Sequence, residues 1–480
     1  MRLACFITFC FYLLSCRSVC AAVYPADGDS LHFRLIGFSF PANAEATNYR
    51  LEIFEYDSNT GIIIKKPILT KEEKENQIIV TVPVFGKRYG WRVQYLSHGK
   101  KIGYSEQHYF IVRPYLYADN PPKRMDIINK ATKYQDMLLF FDMTRTLYNM
   151  KCEPLWFLPM LPGVNDTGIN MIRDMKITLD GTITFLTNKN LHEIDYHGHI
   201  IWSAPNDGKV SGKSTEQYHH EFTKLSNGHY MTIGDKFIPD KTTNDTSQQR
   251  NNIPINKCAC LIEYNASKEV VWTWNSCEHM RENDVLSHFN AFYFDERNKV
   301  IYTSYRNISR IIKISYPDGR ILAKYGMDNK IDSNIKGDGL FYSQHNCSLN
   351  SDGDLMLFNN NYKMHLPAAE RNADCTPSVL VLKEPVAPMD SLKKVWEFHC
   401  DIDSFTKPMS PQGGSVKELD KGDYLVCTGH PGRSFIVSKD KKILWNVITR
   451  QQEKGEWIPL QGLYRISPVR QKDLRKLLYK

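Results

Sequence analysis

The 480-residue chain has no apolar run long enough to span a bilayer: the longest, Leu3 to Cys16, is about fourteen residues where a helix needs roughly 20. No transmembrane span is expected. It also lacks an uninterrupted basic block, since its 61 basic residues are scattered among 53 acidic ones, which argues against a nucleic-acid partner. Glycine (27) and proline (23) stay near their average share, excluding collagen-like and low-complexity classes. What the chain does have is aromatic weight, 12% Phe, Trp and Tyr, which leans toward β-structure. Its net charge of +8 suits a small anionic ligand better than a nucleic acid.

Met1-Arg2, the apolar run and Arg17-Ser18-Val19-Cys20-Ala21-Ala22 follow the order of a secretory signal peptide over residues 1–22, cleaved near Ala21 or Ala22. Leu13-Leu14-Ser15-Cys16 loosely matches a lipobox, so a lipid anchor at Cys16 is the alternative processing. Eight cysteines follow the leader, and in an exported chain they permit disulfides: Cys258 or Cys260 with Cys277, and Cys347 with Cys375, are the local candidates. Cys258-Ala-Cys260 has no partner pair at finger-like spacing, so no metal is expected.

Residues 23–113 alternate apolar and polar positions in short runs, as in Gln77-Ile-Ile-Val-Thr-Val82 and Tyr89-Gly-Trp-Arg-Val-Gln-Tyr95, which predicts a small β-sandwich. Its Tyr89–Val93 stretch resembles a fibronectin type III domain. A Pro-rich linker at 114–126 precedes a repeat. Strand–turn–strand units recur around Gly181, Gly228, Asn298, Gly353 and Gly422. Each is followed by a strand carrying Trp202, Trp272, Ala323, Trp396 or Trp445, and an earlier partial unit ends at Trp156. Counting these units, with Gly462–Pro468 completing the first, predicts an all-β chain: a sandwich, then a six-bladed β-propeller over 127–470 and a tail at 471–480. Polar insertions at 238–257 and 362–377 are expected to be face loops.

In a hairpin, residues equally far from the turn lie at the same end. Eight positions back stand Arg173, His220, Asn290, His345 and Gly414; eight forward stand Lys189, Lys236, Arg306, Asn361 and His430. His288 shares the face of Asn290. The predicted channel mouth is thus rich in cations and donors, without a carboxylate, and suits an oxyanion. Arg306 beside the histidines argues against a bound metal cation. His197-Gly-His199 reads instead as an exposed turn.

Four motifs, His219-His220-Glu-Phe-Thr-Lys, Ser287-His288-Phe-Asn290-Ala, Ser304-Tyr-Arg306-Asn and Gln344-His345-Asn-Cys, resemble those of the bacterial arylsulfate sulfotransferases in order and spacing. The resemblance covers nearly the whole chain. It implies transfer of a sulfuryl group from a phenolic sulfate ester to an acceptor phenol, with no nucleotide donor and no cofactor. It further implies a transiently sulfurylated histidine matching His345, with Arg306, His288, Asn290 and His220 holding sulfuryl oxygens and moving protons. The motif does not choose between His219 and His220; the repeat register favours His220. His219, Lys236, His430 and Asn361 are the expected substrate-binding residues. Asn346-Cys347, after the matched nucleophile, departs from the family's usual small acidic-plus-alanine pair. The resemblance also implies a homodimer.

Competing readings are a sulfatase, opposed by the lack of a formylglycine-type sequence, and a noncatalytic propeller binding sulfated or other anionic ligands. The acceptor sequons Asn307-Ile-Ser and Asn346-Cys-Ser fall inside the predicted mouth, where a glycan would block it, so a bacterial periplasm or cell surface is expected.

Overall fold

A computed structural model describes residues 22–56, 66–117, 123–164, 171–187, 190–239, 255–280, 287–326, 339–363, 375–386, 391–402 and 409–479. The leader, with Cys16, and Lys189 lie outside the described residues. The chain divides into two compact units, 1–113 and 114–480.

The first unit is a six-stranded sheet facing a two-stranded one, Leu35–Ser39 with Gln77–Thr81. Alternation drives the pairing, because one face of each strand is apolar and must be covered. Trp91 is fully buried with its ring edge-on to Phe38 at 5.1 Å, and its indole N–H donates to the Pro25 carbonyl at 3.2 Å. A large aromatic can be buried this deeply because its one polar atom has a partner.

The second unit holds six antiparallel sheets, the blades of a propeller: five have four strands, and the sixth has four blade strands and two additional ones. Blade one is closed by the far end of the chain: Leu138–Phe141 pairs with Ile466–Val469, which supplies its inner strand. A second closure joins Lys123–Asn129 to the outer strand Ile443–Glu453 of blade six. Residues 123–126, expected as linker, therefore belong to a strand. The expected tail likewise folds, as a 3-10 turn and a short helix, Leu474–Leu478, with Leu474, Leu477 and Leu478 buried. Between 238 and 257 the insertion is shorter than expected. Its strands continue, Tyr230–Pro239 pairing residue by residue with Ile255–Tyr264.

Hydrophobic cores lie between neighbouring blades rather than within them. One cluster joins Leu225, Met231 and Ile233 of blade three to Phe289, Phe292 and Ile301 of blade four, and another joins blades four and five through Tyr302, Ile311, Leu357 and Leu380. The repeated outer-strand position has a further role. At Trp156, Trp202, Trp272, Ala323, Trp396 and Trp445 the pairing with the third strand slips at once, giving a bulge in every blade. Four of these indoles donate across to the next blade: Trp156 to Tyr196 O, Trp272 to Pro317 O, Trp396 to Lys439 O and Trp445 to Met150 O. They fasten blade to blade as well as filling space.

Of the candidate disulfides, Cys258–Cys277 forms, across 19 residues, whereas Cys347 keeps its thiol, with Sγ 3.6 Å from the Tyr302 carbonyl. The Cys347–Cys375 expectation is corrected accordingly. Cys347 lies in the inner strand of blade five, buried between blades four and five.

Candidate active site

Each blade's inner strand lines the channel, and four of the six are kinked at the end where the candidate residues gather. The pairing slips between Arg173 and Lys176, His219 and Phe222, Phe289 and Ala291, and His345 and Cys347. Asp174, His220, His288 and Asn346 take positive φ values of 53°, 66°, 53° and 55° at or beside these slips. Non-glycine residues there are uncommon, and such bulges re-aim side chains that a regular strand would send to opposite faces.

His219 and His220 show the effect. As sequence neighbours they should point apart, yet their Nδ1 atoms are 2.6 Å from each other. His220 turns inward, 4.9 Å from the His288 ring and 6.0 Å from the Tyr464 ring. His219 stands behind it and donates from Nε2 to Asp235 Oδ1 at 2.9 Å. The structure thus separates the two histidines that the sequence leaves open.

His345 is 3% exposed and its tautomer follows from its neighbours. Asn360 donates its amide hydrogens to the carbonyls of Ser410 (2.8 Å) and Gly413 (2.9 Å), so its Oδ1, 2.8 Å from His345 Nδ1, must accept. His345 therefore carries its proton on Nδ1 and its lone pair on Nε2, where the Gly413 N–H approaches at 3.2 Å. Burial and the Arg306 charge push its pKa down to about 3, and the same two causes bring His288 to about 3. His220 is driven well below the usual imidazole value by burial, then by His219 and His288. All three are neutral at pH 7.

The titration has a sign that can be checked. Below pH 6.5 an unfolded imidazole binds a proton that these folded ones refuse, so stability present above 6.5 is lost as pH falls toward 3. The His345 lone pair survives over that same interval. The acid limb of kcat/KM is expected well below pH 6.5, and a limb at or above 6.5 in a pH–rate profile would contradict this tautomer and its environment.

Arg306 lies opposite His288, its backbone N–H donating to the His288 carbonyl. Its guanidinium gives Nη2 to Pro411 O at 2.6 Å and Nη1 to Asn307 Oδ1 at 3.1 Å, while its buried Nε has no acceptor among the described residues. The Nε of Arg173, whose guanidinium lies over the Tyr464 ring at 5.4 Å, is in the same condition. Two buried guanidinium donors without acceptors suit a ligand with several oxygens. Asn290 is fully buried and donates to Gln344 O at 2.8 Å, leaving Oδ1 unsatisfied.

Three expected binding residues are not part of this group. Lys236 lines a separate cavity with Pro205, Asp207 and Tyr264. Asn361 donates to Thr376 O at 3.2 Å. His430 is half-buried in the turn after Thr428 and hydrogen-bonded to none of the site's side chains among the described residues. The first two are displaced for one reason. A bulge inserts a residue into the inner strand, and one residue of slip exchanges the faces of everything beyond it. His219 pairs with Ile233, whose face is shared by Asp235 and not Lys236; His345 pairs with Phe358, whose face is shared by Asn360 and not Asn361.

The expectation of a mouth without carboxylates also needs correction. One residue along from Arg173 and His220, Asp174 and Glu221 bind Arg465 at 2.8 and 3.0 Å. Lys176 adds a 2.8 Å contact to Asp174. These two carboxylates are balanced by two cations, so Arg306 and Arg173 remain the charges available to an anion. Tyr464 and Arg465 immediately precede the closing strand Ile466–Val469, whose equivalence to the other inner strands is the sequence signal for both. His197 and His199 stand apart in their turn, His199 80% exposed and bonded to Asp195. Among the described residues no group of three His, Cys, Asp or Glu is placed to hold a metal.

The family model described as Arylsulfotransferase (ASST) matches residues 163–455, more than half of the chain. No curated protein matches it. Among solved structures, a Bacteroides caccae protein of unknown function is 14% identical, covering 70% of this chain and 98% of its own, with a TM-score of 0.42. The propeller domain of Cps50 (Swd1) from Myceliophteria thermophila is 8% identical over 70% of this chain and 90% of its own, with a TM-score of 0.33.

Proposed function

Because the chain belongs to the arylsulfotransferase family, we propose that it moves a sulfuryl group from a phenolic sulfate ester to an acceptor phenol in two steps through His345. The observation that carries this reading is the Asn360–His345–Gly413 arrangement, which fixes a neutral imidazole with its proton on Nδ1 and its lone pair on Nε2, met there by a single 3.2 Å contact from the Gly413 N–H.

A sulfate ester resists attack because its oxygens repel the nucleophile, and fixed donors that spread this charge lower the barrier. Arg306 and Arg173 supply guanidinium donors for those oxygens, and the second amide hydrogen of Asn290 remains for the same task. In the first step a bond forms from Nε2 to sulfur as the sulfur–aryl oxygen bond breaks, and the departing phenoxide takes a proton. In the second, the acceptor phenol gives up its proton and its oxygen displaces Nε2. His345 keeps its Nδ1 proton throughout, bonded to Asn360, which disperses the charge gained on the ring. Binding the anionic donor adds a negative charge beside imidazoles that are otherwise neutral, so a proton is taken up with it.

Export is supported by the leader sequence and by the Cys258–Cys277 disulfide, which requires an oxidising compartment to persist. Among the described residues no helix is long and apolar enough to cross a membrane.

The test mixes the purified protein with a chromogenic aryl sulfate, with and without a phenol, and maps any modified peptide after rapid quenching. Phenol-dependent release together with a sulfurylated peptide containing His345 is expected. Tight binding of the sulfate ester without turnover would favour a noncatalytic anion-binding propeller, and release independent of phenol would favour a sulfatase.

A further inference from the structure

The geometry points to Asp235, His219 and His220 as one proton relay, in which His220 exchanges the phenolic proton and Asp235 and His219 position and support it. This inference rests on the transfer reading above and decides which of two histidines serves as its acid and base.

Asp235 accepts from His219 Nε2–H at 2.9 Å, which makes the other nitrogen of that ring, Nδ1, an acceptor. That acceptor faces His220 Nδ1 at 2.6 Å, so His220 donates there and keeps Nε2 as its free nitrogen beside His288 and Tyr464. The chain of three is enclosed, with side-chain exposures of 6% for Asp235 and 16% for His219. Lys257 holds the second Asp235 oxygen at 3.0 Å. The carboxylate is therefore fixed on both oxygens and cannot swing away from His219.

The relay answers a difficulty in the chemistry. His220 faces His288, Arg173, His345 and Tyr464, and its protonated form is disfavoured by burial first and then by the neighbouring imidazoles and the Arg173 charge. A carboxylate acting through His219 supplies the opposing charge from behind, where it does not compete with the sulfate for the arginines. His288 has no carboxylate hydrogen-bonded to it among the described residues and stands opposite Arg306. The proton count closes over a cycle. The proton taken up on His220 Nε2 when the donor binds is given to the phenoxide as the sulfur–oxygen bond breaks, the acceptor phenol's proton returns to Nε2 as its oxygen takes the sulfuryl group, and that proton leaves with the product.

The test is Asp235→Asn, read by single-turnover formation of sulfuryl-enzyme from two donors. Nitrophenyl sulfate releases a phenoxide stable enough to leave without a proton, and phenyl sulfate does not. The expected loss is about 100-fold for phenyl sulfate and less than about threefold for nitrophenyl sulfate, the range set by losing a general acid. His219→Phe is expected to reproduce the pattern, and serves alone should Asp235→Asn fail to fold. Equal loss on both donors, or no loss on either, overturns the relay. If the unaltered protein forms no sulfuryl-histidine from nitrophenyl sulfate, the transfer reading itself fails. A normal adduct in both proteins with unchanged preference between donors removes the relay alone.

Discussion

His345→Ala is expected to lower turnover by about 1,000-fold or more while leaving the fold intact, because it removes the only atom that bonds to sulfur in the proposed route. Its side chain makes one hydrogen bond to Asn360 and accepts one long contact from Gly413, so little structural support leaves with it. Circular dichroism and melting of the variant separate lost chemistry from lost structure. A residual rate within tenfold of the original would move the nucleophile elsewhere and leave His345 a buried polar residue of the channel wall.

The largest stability effect is expected at Arg465, a residue outside the family motifs. Arg465→Met leaves Asp174 and Glu221 within the channel with Lys176 as their remaining ion-pair partner among the described residues. Removing one member of a buried charge network costs about 3–5 kcal/mol, because the opposite charges stay buried without compensation. The cost should be higher at neutral pH than under acid, where the carboxylates can take up protons. Denaturant titration measures it directly. A loss below about 1 kcal/mol would mean that water reaches the carboxylates and screens them, as at a surface pair.

Much of the fold is legible in the sequence because its signal is repeated. Turn glycines and tryptophans count the blades, and the Gly462–Pro468 strand can be recognised as the missing member of blade one. The site is legible in its inner-strand residues for the same reason, since His220, Asn290 and His345 occupy one slot in successive units. The second-strand residues are a different matter. Lys236 and Asn361 follow from assuming regular pairing, and a single inserted residue changes the face on which the second strand contributes, bringing in Asp235 and Asn360. Nothing in the local sequence marks those bulges, because the residues at positive φ, His220 and Asn346 among them, are not glycine. Arg306 escapes the error because it sits directly across from His288. The carboxylates were hidden by a related cause. Asp174 and Glu221 each stand beside a channel-facing residue and should point away, yet their positions next to the kinks turn them into the channel as well.

The strand Ile466–Val469 completes blade one, and the two residues just before it, Tyr464 and Arg465, stand at the heart of the channel. Ribosomal synthesis makes this segment among the last of the propeller, more than three hundred residues after the strand it joins. A chain still emerging, or one cut short before Tyr464, has five blades and part of a sixth but neither the aromatic beside His345 nor the cation that neutralises Asp174 and Glu221. Assembly and competence thus share one final event. Long-range closure of this kind is slow to find, and until it happens Asp174 and Glu221 lack the guanidinium that pairs with both of them in the closed ring.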